Sequence, residues 1–118
     1  MLISSASITP ETTVMTQFDV FDNPIAESRR AYPFVVVLQS DLVWDVREPI
    51  VAPVVSRQSL SKIAGRLAPI VAFNGSEHVV LVPALMGVAS RDLTQRRGSL
   101  ASARGEVLAA IDYLFFGV

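Results

Sequence analysis

The fold is decided by residues 69–82, which read PIVAFNGSEHVVLV. Two apolar runs flank the dipeptide Asn74-Gly75, and both of its residues tolerate the positive φ that a two-residue type I′ turn demands. We therefore predict a β-hairpin whose strands are Pro69–Phe73 and Ser76–Val82.

Three upstream segments also have the composition of strands. In Gln17–Phe21, apolar and polar residues alternate, as in a half-buried strand. Pro33–Leu38 is β-branched and apolar on both faces, which predicts a central strand. Ile50–Val55 resumes the same pattern, but its Pro53 lacks an N–H and therefore predicts an edge position or a bulge.

Two segments have helical spacing instead. Between Ser56 and Pro69, apolar residues recur at i, i+3, i+4 and i+7, which predicts a short amphipathic helix. From Ser99 onward, a broad apolar stripe predicts a helix of about four turns that Gly117 ends in a left-handed conformation. The stripe consists of Leu100, Ala103, Val107, Leu108, Ile111, Leu114 and Phe115. The elements together predict a mainly β (α+β) domain, an antiparallel sheet with a terminal helix packed on it.

The amino-acid composition further narrows the classes of protein and the kinds of site that are possible. The 118 residues suit one domain, and 51% of them are apolar although no run approaches the roughly 20 residues of a membrane span. This surplus indicates a well-filled core, oligomerisation or a partner surface. The chain has no cysteine and a net charge of -1, which argues against disulfides, zinc–thiolate sites and phosphate-tracking surfaces. The Ser- and Thr-rich segment Met1–Val14 predicts a disordered extension before a domain at 15–118, with Met15 as an alternative start.

The candidates for catalysis are few. His78 is the single histidine and could act as a general base, with Glu77 or Asp92 as the orienting carboxylate. Adjacent strand residues point to opposite faces of a sheet, so Glu77 is poorly placed for that task. An ordinary strand histidine is the favoured interpretation.

The remaining unusual residues have two interpretations each. The charged group at 91–97, which contains Arg91-Asp92 and Arg96-Arg97, is interpreted as a solvated loop with local ion pairs rather than as a phosphate site. Trp44 lies between two acidic residues and is either a partner anchor or a core or sheet-edge residue. At 115–118 the helical period accounts for the first phenylalanine, and the other apolar residues either pack down or form an interface.

Five short motifs occur in an order that resembles one known family. They are Gln-Phe-x-Val-Phe at 17–21, Gln-Ser-Asp-Leu at 39–42, Ile-Val-Ala-Pro-Val at 50–54, Leu-Ala-Pro-Ile-Val at 67–71 and Ala-Ile-Asp-Tyr-Leu-Phe-Phe-Gly-Val at 110–118. With these motifs at similar spacing over Met15–Val118, the chain resembles the CcdB family of toxins.

This resemblance implies a homodimeric toxin of a toxin–antitoxin module. Its fold would be an SH3-like antiparallel sheet, or partial barrel, with a small hairpin sheet and a C-terminal helix. It would act in the cytoplasm by binding the DNA gyrase A subunit and trapping the cleaved-DNA complex, and a CcdA-like antitoxin would neutralise it. It would be no enzyme, use no metal or cofactor, and have no affinity of its own for membranes or for specific nucleic-acid sequences.

The resemblance also implies which residues contact gyrase and which contact the antitoxin. The expected gyrase contacts are Phe116, Gly117 and Val118, together with Asp112 and the pair Leu42-Val43. The family characteristically has tryptophan where this chain has Phe116 and an amide where it has Asp112, so we expect an altered affinity for the target. The acidic tail of the antitoxin is expected to meet a basic surface. Its candidate residues are Arg29, Arg30, Arg57 and Arg66, and the loop Asp22–Arg30 occupies the position of an antitoxin-binding loop.

Two alternative functions remain open at this point. The same fold hosts endoribonuclease toxins, which need an acid–base pair and cations to stabilise a pentavalent phosphate. Arg57, Arg66, Glu77 and His78 are the available residues for that chemistry. The other alternative is a degenerate member that binds an antitoxin and has little activity on gyrase.

Overall fold

The computed structural model describes residues 15–41, 47–60 and 65–118. Within these ranges, seven strands form one antiparallel sheet, followed by the helix α1 (Arg104–Phe116). The strands are β1 (Asp19–Asp22), β2 (Phe34–Val37), β3 (Ile50–Ser56), β4 (Ile70–Phe73), β5 (Ser76–Val80), β6 (Met86–Gly87) and β7 (Arg96–Ser99). The predicted fold class is confirmed. Among the described residues, no helix is long and apolar enough to cross a bilayer.

The strands lie in the order β4-β5-β3-β2-β1-β7, and the short β6 pairs with β3. The predicted hairpin is confirmed as β4 and β5, which pair from Ile70 with Val79 to Phe73 with Ser76. At its turn, Asn74 has a φ of 53° and Gly75 a φ of 77°. These values belong to the type I′ turn that the dipeptide predicts.

The prediction of a central strand at Pro33–Leu38 is confirmed, because β2 lies between β1 and β3. The prediction that Pro53 marks an edge or a bulge is wrong. Its strand β3 is interior and pairs in unbroken register with β2. On the other side of β3, the partner changes from β5 to β6 next to Pro53, and the Pro53 carbonyl accepts the Leu81 N–H at 2.9 Å. The missing proline N–H therefore falls where the ladder is interrupted.

The predicted amphipathic helix at 56–69 is wrong in its described part. Two 3-10 turns occur there, Arg57–Ser59 and Gly65–Leu67. Leu60 between them has the extended values of φ -109° and ψ 130°, and Gly65 has a φ of 67°. Neither conformation continues an α-helix. Ile63 and Ala64 of the predicted apolar face lie outside the described residues, as does the predicted extension at 1–14.

The charged segment around Leu93 is not the loop that its composition indicates. Its second half is the strand β7, which pairs with β1 at one edge of the sheet with a register shift between Val20 and Phe21. Arg96 and Arg97 are thus strand residues. The ion pairs of Arg96 and Arg97 are not the local ones expected for this segment, because their partners, Asp19 and Asp22, lie on the distant strand β1.

The sheet has an apolar core on each face. The helix α1 covers one face with Val107 and Ala110, which are buried. Alternate residues of the same strands point the other way and form a second cluster. That cluster contains Phe21, Val35, Val37, Val51, Val88 and Leu93. The sheet also curls into a half-barrel, because Phe73 of β4 reaches Gly98 of β7, the strand at the opposite end of the strand order.

Candidate functional site

The carboxyl end of α1 is the most exposed apolar feature of the described chain. The helix is entered through a 3-10 turn at Ala101–Ala103, whose first N–H is accepted by the Ser99 hydroxyl at 3.1 Å. Leu100 then lies fully in the core. The amino-terminal half of the helix is thereby fixed to the sheet, and its orientation determines where the last turn points.

The last turn leaves three large apolar side chains in solvent. Phe115 is 61% exposed, Phe116 75% and Val118 77%. The apolar stripe therefore ends before Phe115, which its spacing places on the core side. Exposed apolar residues that adjoin one another are typical of a protein contact surface.

Gly117 ends the helix in the way that its sequence predicts. It has a φ of 74° and a ψ of 18°, and its N–H donates to the Tyr113 carbonyl at 3.0 Å. A residue with a side chain would be strained in this left-handed conformation. The cap turns the chain out of the helix, so that Val118 is presented beside the last helical turn.

Asp112 gives this end of the helix a negative charge. It is exposed and lies one turn before Phe116, on the same side of α1. The structure gives it no ion pair within the described residues, and the last turn of α1 has no basic residue. The carboxyl end of a helix is itself negative, so this site favours a cation. We call Asp112, Phe115, Phe116 and Val118 the tip surface.

The other predicted gyrase contacts, Leu42 and Val43, lie outside the described residues, as does Trp44. The chain that leads to them is held by Gln17. The Gln17 backbone N–H donates to Asp41 Oδ1 at 2.6 Å, and its Nε2 donates to the Leu38 carbonyl at 3.0 Å. Its Oε1 also accepts from Arg104 Nη1 at 3.2 Å, which connects this loop to the first turn of α1.

The four arginines predicted to receive an antitoxin are not gathered in one cluster by any contact of the described residues. Arg29 and Arg30 lie in the connection between β1 and β2, which is organised around the buried Asn23. The Asn23 side chain donates to the Ser28 hydroxyl at 2.9 Å and to the Tyr32 carbonyl at 2.8 Å. Arg29 Nε donates to the Asn23 carbonyl at 2.8 Å, so this arginine already supports the loop.

The other two arginines have different neighbours. Arg57 forms an exposed ion pair with Glu77 of β5. The Arg66 guanidinium lies over the Tyr113 ring, with its Cζ 4.0 Å from the ring centroid. Arg66 is therefore placed against α1, one residue from the tip surface. Nothing in the spacing of the sequence indicates this contact.

His78 and Glu77 do not form an acid–base pair. His78 is 7% exposed, and its ring stands edge-on to Phe73 with centroids 5.2 Å apart. Its Nδ1 lies 3.3 Å from the Ser76 carbonyl. Glu77 points to the other face of the strand and binds Arg57. The prediction that His78 lies on the return strand of the hairpin is confirmed.

Two ion pairs join β7 to β1. Arg96 Nε lies 3.1 Å from Oδ1 of Asp19, whose side chain is buried. Arg97 donates to both Asp22 carboxylate oxygens, at 2.9 and 2.8 Å. Hydrogen bonding from Arg97 lowers the pKa of Asp22 below its usual 3.8 and raises the pKa of Arg97. These arginines hold the sheet edge together, and they have carboxylate partners already.

The comparison with protein families decides between the possible identities of this fold. A family model described as CcdB protein matches residues 17–117. The chain belongs to the CcdB family. The match covers the sheet, α1 and Gly117, and membership in this family indicates a toxin of a toxin–antitoxin module. A search of the curated proteins finds no match.

Proposed function

We propose that this CcdB family member binds the DNA gyrase A subunit and traps the gyrase–DNA cleavage complex. One observation carries the proposal: the tip surface of α1 is apolar, exposed and rigidly capped. Because the backbone of the helix end is already ordered by its cap, it loses little conformational freedom on binding, which favours affinity. The family membership supplies the toxin class, and the tip surface supplies a site through which a toxin can act by contact alone.

The chemistry of the tip surface suits a partner that presents an arginine beside apolar residues. The Phe116 ring offers a face to a guanidinium, and Asp112 lies one turn away on the same side, where it attracts the same cation. A charge-assisted contact of this kind is stronger than a neutral one when the interface excludes water. Binding to the cleaved-DNA state in preference to the resealed state then shifts the equilibrium toward cleaved DNA.

We further propose that the toxin is a homodimer and that a CcdA-like antitoxin neutralises it. Within the tip surface, the exposed Phe115 supports an apolar seam between two copies. An acidic antitoxin segment would find an exposed basic side chain at Arg30, and additional ones at Arg29, Arg57 and Arg66 once these exchange their present contacts for the antitoxin. In this proposal the protein acts by binding and is no enzyme.

The contacts around His78 disfavour the ribonuclease alternative. A general base must reach its substrate proton, and this ring is packed among Phe34 and Phe73. Glu77 is engaged by Arg57 on the other face. Of the two cations available to a phosphate transition state, Arg57 is held by that carboxylate and Arg66 lies over the Tyr113 ring.

The decisive experiment uses purified protein and purified gyrase in a DNA cleavage assay. We expect linear DNA to accumulate with the wild-type protein, and Phe116→Ala to reduce this accumulation by at least about tenfold, the effect of losing a central interface aromatic. Thr94→Ala, at an exposed position outside the tip surface, is the matched control and is expected to behave like the wild type.

Absence of linear DNA with the wild-type protein would contradict gyrase poisoning. If the protein also binds an antitoxin in a pull-down, the degenerate alternative is then favoured. Degradation of total RNA by the same preparation would instead favour the ribonuclease. The three functions therefore give three different results with one protein sample.

A further inference from the structure

The contact between Arg66 and Tyr113 joins a surface turn to the last part of α1. Arg66 is the central residue of the 3-10 turn Gly65–Leu67, which is closed by the Ala68 N–H donating to the Gly65 carbonyl at 3.0 Å. Ala68 is buried, so the turn is anchored to the core immediately after Arg66. The guanidinium lies 4.0 Å from the Tyr113 ring centroid, well within the range of a cation–π contact.

Tyr113 occupies a particular place in the helix. Its carbonyl accepts the N–H of Gly117, and this hydrogen bond closes the left-handed cap. The same residue therefore has its ring held by Arg66 and its backbone bonded to the residue that turns the chain. Phe116 lies between Tyr113 and Gly117 in the sequence and is 75% exposed, so its own side chain makes little packing contact that would fix its position.

The charges at the carboxyl end of α1 also favour the position of Arg66 beside it. The carboxyl end of α1 is negative, Asp112 adds to that charge, and the last turn has no basic residue. The ion pairs of the described residues involve Arg57, Arg96 and Arg97 and not Arg66. The guanidinium of Arg66 thus supplies from a neighbouring turn the positive charge that the helix end lacks.

We infer that Arg66 is a positioning residue for the tip surface, which it holds by stacking on Tyr113 and thereby stabilising the Gly117 cap. This role rests on the proposed function only in so far as the tip surface is the target-binding site. The planar guanidinium matters as well as the charge, because a lysine ammonium cannot stack on the ring in the same way.

The first test measures hydrogen exchange of the Gly117 amide by NMR in the full chain. We expect Arg66→Ala and Tyr113→Leu each to accelerate this exchange about 2- to 5-fold, the effect of losing an exposed cation–π contact. The double variant is expected to exchange no faster than the faster single variant. Arg66→Lys and Tyr113→Phe are expected to fall between Arg66→Ala and the wild type, because they retain the charge and the ring, respectively.

The matched control is Arg91→Ala. Arg91 is also an exposed arginine at the centre of a 3-10 turn, Ser90–Asp92, so its removal changes the net charge equally. We expect no change of Gly117 exchange in this variant. Unchanged exchange in Arg66→Ala, or fully additive effects in the double variant, would overturn the positioning role.

The second test measures the affinity of the same variants for the gyrase A subunit. We expect Arg66→Ala to weaken binding by the same 2- to 5-fold factor and Arg91→Ala to leave it unchanged. Faster Gly117 exchange with unchanged affinity would overturn the connection between the cap and binding. If the wild-type protein binds no gyrase A subunit, the proposed function fails, and the exchange measurement still decides whether Arg66 positions the helix end.

Discussion

Phenylalanines occur in two contrasting environments in this protein. At the closed end of the sheet, Phe73 packs edge-on to Phe34 with ring centroids 5.3 Å apart, and its ring is buried. At the carboxyl end of α1, Phe115 and Phe116 extend into solvent. Phe73 also reaches Gly98 of β7 and thereby connects the two ends of the strand order, whereas Phe115 and Phe116 are mostly exposed. The difference shows that residue type alone does not assign an aromatic residue to stability or to binding.

Replacing one phenylalanine of each environment by alanine tests this contrast most directly. We expect Phe73→Ala to lower the free energy of unfolding by about 3–5 kcal/mol, because it leaves a cavity between β4 and β7. Phe116→Ala is expected to change it by less than about 0.5 kcal/mol, as at other exposed positions. Equilibrium urea unfolding measures both. A comparable loss in the two variants would show that the tip surface is packed in the isolated protein.

The glycines at the two regions offer a second contrast. A Cβ on Gly98 would lie 3.1 Å from Phe73 Cε1, so Gly98→Ala is expected to destabilise the protein by about 1–3 kcal/mol through overpacking. Gly105 in α1 has nothing within 4 Å of its Cβ position. Gly105→Ala is expected to stabilise by up to about 1 kcal/mol through helix propensity. Thermal unfolding of the two variants should shift in opposite directions, and a shift in the same direction would contradict the close approach at Gly98.

The smallest expected effect concerns the ion pair at the sheet edge. Arg97 lowers the pKa of Asp22 below 3.8 in the folded protein. A carboxyl with a lowered folded pKa contributes stability that is fully present above its unfolded pKa and is lost as the pH falls through the folded value. We therefore expect Asp22→Asn to flatten slightly the fall of stability from about pH 5 downward. Urea midpoints at several pH values test this, and an unchanged pH profile would show that solvent screens the pair.

Much of the fold could be predicted because its signals are local. The Asn74-Gly75 turn, the β-branched run of β2 and the cap at Gly117 each depend on the conformational preferences of a few adjacent residues. The strand β7 could not be predicted, because Arg96 and Arg97 have the polarity of a loop. Their pairing depends on Asp19 and Asp22, which approach only when β1 and β7 are adjacent.

The candidate site likewise has some features that the sequence predicts and others that it does not. The terminal motif at 110–118 identifies the residues of the tip surface, and the family match includes nearly all of that motif. Spacing within α1 predicts Phe115 on the core side, but the structure leaves it exposed. No pattern along the sequence predicts the contact between Arg66 and Tyr113, because the two residues belong to different structural elements.

The sequence by itself determined the Asn74-Gly75 turn, most of the strands, the C-terminal helix and the family, because these follow from backbone preferences and motif order along the chain. Only the tertiary structure decided which similar side chains have different roles. Burial, ion pairing and stacking depend on distances between residues remote in sequence, and curling of the sheet sets those distances. That geometry buries Phe73, leaves Phe116 exposed and places the Arg66 guanidinium over the Tyr113 ring.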